Sequence, residues 1–228
     1  KHYTHKPVEI QKLTTQTINF KRFYQAPNGI LYPSITTVLS TRKKEGLFEW
    51  RKKVGNEVAN YVARTSANRG TAVHHMCEDY LNNYPIDWPD KWKEHEKKFL
   101  PYCLFKQLKK TVLEKIDNIR SQECTLFSSK YRVAGRVDCI AEYKGKLSVI
   151  DFKTSTKEKQ EQWIENYFIQ GSAYCEMYEE TFKEPIEQVV ILIVTEDGAI
   201  QSFVKNKKDY LPLLGPAIKE FNESFNEN

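Results

Sequence analysis

The chain has 228 residues, of which 40% are hydrophobic, and it contains no long apolar run, with a mean hydropathy of −0.64. These values suit a single domain over residues 1–228 with a sizeable core, and they exclude a membrane-spanning helix, so no membrane partner is expected. The 35 lysines and arginines exceed the 30 acidic residues by only five, so a surface that binds a polyanion has to be local.

Helical patterns come first along the chain, and strand patterns follow. Apolar spacing predicts helices over residues 47–66 and 69–83 and one or two more over 91–119, with breaks at Pro85, Pro89 and Pro101. Alternating apolar and β-branched residues predict strands near 122–129, 132–143 and 146–154. The order closes with a helix over 158–181, strands over 187–196 and 199–205, and a helix over 208–225. This succession predicts an α/β fold in which helices flank a mixed central sheet, with 91–119 as a helical insert.

Basic residues cluster at three places, namely Arg42-Lys43-Lys44, Arg51-Lys52-Lys53 and Lys106 to Lys110. Such runs are candidates for tracking a phosphate backbone, although a charge run is usually a solvated face. Aromatic side chains near these runs could stack on unpaired bases. The candidates are Phe48, Trp50, Trp92 and Phe105.

The five cysteines are odd in number and widely spaced, and no C-x-x-C occurs. This pattern favours free thiols in a reducing, intracellular compartment. The sequence also lacks G-x-x-x-x-G-K-[ST], so no ATP-driven motor is expected.

A hairpin is predicted where two apolar runs flank Lys144-Gly145, a pair suited to a tight turn. If those two residues form the turn, Tyr143 faces Lys146, and the alternation continues until Asp138 lies opposite Asp151. A four-residue loop keeps this register. A three-residue loop shifts it by one and places the two carboxylates on different faces.

Two opposed carboxylates need an explanation, because their Cβ atoms would lie about 4.5–5.5 Å apart and their charges would repel. A divalent cation between Asp138 and Asp151 resolves the repulsion. Lys153 projects from the same face as Asp151, since side chains in a strand alternate. The alternative is a solvated strand end with an ordinary ion pair, but Asp151 follows Val149-Ile150, and a charge in an apolar strand is costly unless it is bound.

These residues resemble the PD-(D/E)xK nucleases, in which an Asp and a (D/E)-x-K strand bind metal and activate water. Asp138 stands for the first acidic residue, and Asp151-Phe152-Lys153 stands for the second element. Val137 takes the place of the proline in the family name. The resemblance implies that Asp138, Asp151 and Lys153 are the catalytic residues.

Two further motifs narrow the resemblance to the RecB-like exonuclease branch. Gly70 to Glu78 fits its G-x-x-x-H-x-x-x-E helix, which places His74 and Glu78 on one face. Gln170 to Tyr174 fits its Q-x-x-x-Y helix. The resemblance implies that His74 binds metal, that Glu78 orients it, and that Gln170 and Tyr174 line the site. A lone helical histidine is more often a packed or solvated residue, and the neighbouring His75 is the rival candidate.

The segment Tyr32-Pro33-Ser34-Ile35-Thr36-Thr37-Val38-Leu39 resembles one in mitochondrial genome maintenance exonucleases and their phage relatives, and that likeness covers roughly residues 30–180. Pro33-Ser34 predicts a helix start whose free amides could bind a phosphate, although a plain N-cap is as good a reading. The predicted DNA-binding residues are Ser34, Thr36, Thr37, Arg69, Arg136 and Thr154.

The resemblance also implies a cofactor and a substrate. Mg²⁺ or Mn²⁺ would be held by His74, Asp138, Asp151 and the backbone carbonyl of Phe152. Several relatives carry an iron–sulfur cluster bound by four cysteines, but no close cysteine group occurs here, so none is expected. Residues 91–119 are assigned to a helical arch over the site.

We therefore expect a DNA exonuclease that acts on single-stranded ends in repair, recombination or genome processing. A structure-specific endonuclease with the same site is one alternative, and a non-catalytic DNA-binding module is another. The expected location is the host cytoplasm for a phage protein and the mitochondrial matrix for a eukaryotic one.

Overall fold

A computed structural model of the protein describes residues 1–42, 45–86 and 99–226. The first elements are three short antiparallel strands, β1 (Thr14–Ile18), β2 (Lys21–Gln25) and β3 (Leu31–Pro33). Four helices follow them: α1 (Ile35–Leu39), α2 (Glu45–Val54), α3 (Asn56–Leu81) and α4 (Phe99–Thr111). Among the described residues, no helix is both long and apolar enough to cross a membrane.

The second half of the chain forms a five-stranded sheet in the spatial order β4-β5-β6-β7-β8. Its strands are β4 (Ile116–Ser128), β5 (Val133–Tyr143), β6 (Lys146–Ser155), β7 (Gln188–Thr195) and β8 (Ile200–Asn206). All neighbours are antiparallel except β6 and β7, which are parallel and are joined through helix α5 (Glu165–Phe182). Helix α6 (Leu211–Asn226) follows β8. The predicted α/β fold with a mixed sheet flanked by helices is confirmed.

Side-chain alternation along β6 divides the core into two layers. Val149 packs in one layer with residues of α1, α5 and α6, among them Phe168. Ile150 and Phe152 point into the other layer, which α3 and α4 cover. Because β6 is the central strand, its side chains are covered on both faces, and the residues at its carboxyl end lie beside α3.

The predicted hairpin register is confirmed along the paired part of β5 and β6. Lys144 and Gly145 both have positive φ, 51° and 77°, which is the backbone of a two-residue type I′ turn. Tyr143 pairs with Lys146, and the pairing continues to Cys139 and Ile150. It ends one residue before the two aspartates.

Several predicted boundaries are wrong. The helix expected over 47–66 breaks at Gly55, whose φ of 85° and ψ of 159° are not helical, and α3 then runs without interruption through 66–69. The helix expected over 91–119 is also wrong at its end, because the strand β4 begins at Ile116. Pro101 does not break α4, since it lies in the first turn, where a missing N–H is tolerated.

The segment assigned to an arch falls into two parts. Residues 91–98 lie outside the described residues. In the remaining part, α4 buries Pro101, Leu104, Phe105 and Leu108, which pack in the layer shared with α3. This helix belongs to the folded core, and the arch stays a prediction. The stacking role suggested for Phe105 is wrong, because its side chain is 1% exposed.

Candidate active site

The two aspartates lie where the β5–β6 pairing ends. The amide N–H of Phe152 donates a hydrogen bond of 3.0 Å to Oδ2 of Asp138, so this carboxylate satisfies a strand amide beyond the end of the ladder. Asp138 is held in place by the backbone of the strand that carries Asp151 and Lys153. The local fold thus brings the D and D-x-K elements together.

Asp151 is almost completely buried, with 5% of its surface exposed. Burial raises its pKa to about 6, and the charge of Asp138 adds to this rise while Lys153 opposes it. The ammonium of Lys153 lies 2.7 Å from Oδ2 of Asp151 as an ion pair. Apart from Lys153, this buried oxygen has no hydrogen-bond partner among the described residues. An oxygen in that state can accept a further ligand.

Lys153 remains charged although only 23% of its side chain is exposed. Burial by itself would lower the pKa of its ammonium, but the adjacent carboxylates of Asp151 and Asp138 more than offset burial, and the pKa lies above its ordinary value. The ammonium also lies 4.9 Å from the ring centre of Tyr167, which is cation–π geometry. Tyr167 belongs to α5, three residues before Gln170, and the sequence interpretation missed it.

His74 reaches the same place from α3. Its Nε2 donates a short hydrogen bond to the carbonyl oxygen of Phe152, which can only accept. The Nδ1 atom lies 3.6 Å from Oδ2 of Asp138. Because both ring nitrogens face other atoms, nothing among the described contacts supports the orienting role expected of Glu78.

Glu123, on β4, is the acidic residue that the sequence interpretation missed. Its neighbours Gln122 and Cys124 pair with Cys139 and Val137, so Glu123 lies across from Asp138. It has a φ of 48°, the left-handed conformation in which side chains are uncommon. Ligand atoms of Glu123, His74 and Asp138 all lie within 4.8 Å of one another.

The carboxylate of Glu123 is in an unfavourable electrostatic environment. Burial raises its pKa to about 7, and the charge of Asp138 contributes further. Nε of Arg136, 3.0 Å from Oε2 of Glu123, opposes the rise without cancelling it. A divalent cation nearby would stabilise the ionised form of such a carboxylate.

The donor set fits a divalent cation. Glu123 and Asp138 supply hard carboxylate oxygens, and His74 supplies an imidazole nitrogen, a set that suits Mn²⁺ and accommodates Mg²⁺. Asp151, also expected among the ligands, lies outside this cluster of three and is paired with Lys153, and its role as a ligand stays a prediction. The expected ligand Phe152 O accepts from His74.

Gln170 and Tyr174 face each other on α5. Nε2 of Gln170 donates to the hydroxyl of Tyr174 at 3.0 Å, and both side chains are buried. The Tyr174 ring packs on the backbone of Gly135, where an added Cβ would lie only 2.6 Å from ring atom Cε1. Gly135 therefore allows the tyrosine to approach β5 just before Asp138.

The geometry above agrees with a family match along the chain. Residues 45–225 match the family model described as the PD-(D/E)XK nuclease superfamily. The chain belongs to this superfamily. The predicted resemblance is confirmed.

The curated relatives that this chain matches are named exonucleases. Mitochondrial genome maintenance exonuclease 1 of Xenopus tropicalis is 29% identical over 187 residues, which are 75% of this chain and 50% of that protein. The mouse (Mus musculus) protein of the same name is 29% identical over 136 residues, or 56% and 38% of the two chains. A crystal structure from Eubacterium rectale, assigned as an exonuclease, has a TM-score of 0.49 and 12% identity over 72% of this chain and 68% of its own. The chain spans half or less of the curated relatives' length.

The other predicted DNA contacts lie at two positions around this superfamily site. Arg69 donates from Nε to Thr154 Oγ1 at 3.1 Å and forms an ion pair with Glu196, which connects α3 to the end of β6. Arg136 is more than half exposed while it pairs with Glu123. These contacts do not test DNA binding, so the DNA-binding roles of Arg69, Thr154 and Arg136 stay predictions.

The α1 segment is less suited to an anion than its sequence suggests. Ser34 caps the helix as predicted, since its Oγ accepts from the Thr37 amide at 3.4 Å. Its hydroxyl also contacts that of Thr36 at 2.6 Å, and Ser34 is buried. The helix has only five residues, so its dipole is small, and the plain N-cap accounts for what is observed.

Proposed function

We propose that this protein is a divalent-metal-dependent DNA exonuclease that degrades single-stranded DNA from its ends. The observation that carries the proposal is the convergence of His74, Glu123 and Asp138 beside the ion pair between the buried Asp151 and Lys153. Membership of a nuclease superfamily and relatives named exonucleases support the same reading.

In this proposal, Mg²⁺ or Mn²⁺ is held by His74, Glu123 and Asp138, with Asp151 and the carbonyl of Phe152 next to them. The bound ion supplies a Lewis acid for the phosphate and lowers the pKa of a water ligand. Asp138 is oriented for this role by the Phe152 amide, and His74 by the Phe152 carbonyl. Ligands fixed in this way need little rearrangement on metal binding.

Lys153 supplies the fixed positive charge. Its ammonium is held by Asp151 on one side and by the Tyr167 ring on the other. Charge accumulates on phosphate oxygens during phosphodiester cleavage, and a partly buried cation stabilises it more than a fully solvated one does. Asp151 and Tyr167 orient the ammonium, and Lys153 contacts the phosphate.

The biological role that we propose is DNA repair, recombination or genome processing, in a reducing intracellular compartment, either a host cytoplasm or a mitochondrial matrix. All five cysteines are free, and four of them are buried. Burial raises the pKa of Cys139 and Cys175, so these thiols are poor nucleophiles. The absence of an iron–sulfur cluster and of ATP dependence stays a prediction.

One experiment tests the proposal. End-labelled linear and covalently closed circular DNA, each single- and double-stranded, are incubated with Mn²⁺, Mg²⁺ or EDTA. Linear single strands are expected to be degraded in either metal and to survive in EDTA. Cleavage of circles contradicts exonuclease action and favours the structure-specific endonuclease. No cleavage of any substrate favours a DNA-binding module.

Two variants keep the result specific to the site. Lys153→Ala is expected to lower the cleavage rate by about a hundredfold or more, as loss of one fixed charge-stabilising group does, while single-strand binding persists. Lys146→Ala, at the exposed start of the same strand, is the matched control and is expected to retain the wild-type rate. Equal rates for both variants contradict the role of Lys153.

A further inference from the structure

A groove of about 1050 Å³ lies next to the proposed active site, between the middle of α3, the start of α4 and the ends of β6 and β7. Its volume is at the upper end of the range for small-molecule pockets, so it can hold more than one nucleotide-sized group. Tyr61 and Arg64 line it from α3, and Leu100 lines it from α4. Thr156 and Glu196, which follow β6 and β7, also line it.

Helix α3 presents different faces to the groove and to the sheet. The groove residues Tyr61, Thr65, Asn68, Ala72 and His75 recur every three or four positions, so they share one helix face. His75 therefore lines the groove, while His74, about 100° around the helix, points to Asp138. The two adjacent histidines serve separate surfaces.

The chemistry of the groove suits an unpaired nucleic acid strand. Tyr61 is 60% exposed and offers a ring face to solvent. Leu100, which lines the same groove, is 40% exposed. Arg64 has no acidic partner among the described residues, and the acid of the groove, Glu196, is already neutralised by Arg69. A stacking surface combined with free positive charge is how proteins bind single strands without reading their sequence.

The groove is continuous with the proposed active site. Thr156 lies three residues beyond Lys153, about 10 Å along an extended chain. Arg69 joins the two places, because it contacts Thr154 at the end of β6 and also lines the groove. A strand whose phosphate reaches Lys153 can therefore lay its neighbouring nucleotides in the groove.

We propose that this groove binds single-stranded DNA beside the scissile phosphate, with a base stacked on Tyr61 and the backbone near Arg64. The position of the bound DNA relative to the scissile phosphate rests on the proposed nuclease function. The binding itself is measurable without cleavage. Tyr61 is expected to contribute stacking to this binding, and Arg64 is expected to contribute a charge interaction that depends on salt.

The test is fluorescence anisotropy in EDTA with a labelled oligothymidylate of about 16 nucleotides. Tyr61→Ala is expected to weaken binding roughly 5- to 150-fold, the range for loss of one stacked base, without changing its salt dependence. Arg64→Ala is expected to weaken binding and to reduce the slope of log K against log salt by about 0.7. All three chains are also assayed for cleavage of the same strand with Mn²⁺.

Matched controls remove the same side chains elsewhere. Tyr84→Ala removes an equally exposed tyrosine that does not line the groove, and Lys219→Ala removes an exposed cation of α6, on the other side of the sheet. Both are expected to bind like the wild type.

The outcomes separate the groove from the nuclease proposal. The proposal that the groove binds DNA is overturned if both groove variants keep the wild-type affinity, or if groove and control variants lose affinity equally. Weakened binding in the groove variants of a protein that cleaves nothing supports the groove and refutes the nuclease function.

Discussion

Glu123→Gln is expected to stabilise the metal-free protein and to weaken its metal site. The carboxyl pKa rises from its ordinary 4.5 to about 7 on folding, so the folded state holds this proton more tightly than the unfolded chain does. Below pH 4.5 the carboxyl is protonated in both states, so it does not affect the free energy of unfolding. As the pH rises through 7 the carboxylate ionises in the folded protein as well, and its unfavourable surroundings then destabilise the fold by about 3 kcal/mol for this change in pKa. Glutamine is neutral at every pH and does not incur it.

The assay is urea or thermal unfolding in EDTA as a function of pH. Above pH 7 the variant is expected to unfold about 6–12 °C higher than the wild type, since 1 kcal/mol corresponds to about 2–4 °C at this size. The gap is expected to close toward pH 4.5. Added Mn²⁺ is expected to stabilise the wild type more than the variant, because a ligand that binds only the folded state adds stability according to its affinity.

Glu179→Gln is the control of opposite sign. A hydrogen bond from Lys207 lowers the pKa of Glu179, so its stabilisation is present above the ordinary pKa and is lost as the pH falls. This variant is expected to be less stable than the wild type at neutral pH, with or without Mn²⁺. The reasoning about Glu123 is refuted if Glu123→Gln is destabilising in EDTA above pH 7, or if its effect does not depend on pH.

Three further predictions test the geometry of the site. Asp138→Asn is expected to weaken Mn²⁺ binding about tenfold or more in calorimetry, and an unchanged affinity would exclude it as a ligand. Tyr167→Phe keeps the ring beneath Lys153 and is expected to keep the wild-type kcat, whereas Tyr167→Leu is expected to lower kcat with little change in KM; equal rates for the two would show that the ring does not act on the lysine. Gly135→Ala is expected to lose about 1–3 kcal/mol of unfolding free energy because its Cβ would meet a tyrosine ring at 2.6 Å, while Gly70→Ala, whose nearest neighbour is at 3.6 Å, is expected to cost little; denaturant titration separates them, and similar losses would contradict the steric argument.

The hairpin was predictable because turn chemistry and strand period both fix its register. Lys144-Gly145 specified a two-residue turn, and alternation then placed every pair up to Cys139 and Ile150. Glu123 was missed although the same argument applies one strand away. The connection between β4 and β5, residues 129–132, has no comparable turn pair, so the sequence did not fix the register that places Glu123 opposite Asp138.

Other features depend on tertiary context that a local pattern does not carry. The five residues of β1 are all exposed, so no apolar alternation marks the strand. The break at Gly55 could not be distinguished from a tolerated helical glycine, which costs only about 1 kcal/mol. Tyr167 was missed for a similar reason, since its role depends on Lys153 of β6 lying over its ring.

The central position of β6 has a consequence for which parts of the protein can open. It pairs with β5 up to Ile150 and with β7 from Ser148 onward, so exchange of its amides with solvent requires these central pairings to open. Helix α2 and the first turns of α3 are exposed along most of their length, so they can fray while the sheet stays closed. Substitutions in these helices are therefore expected to alter the proposed binding of single-stranded DNA while Asp138, Asp151 and Lys153 keep their positions.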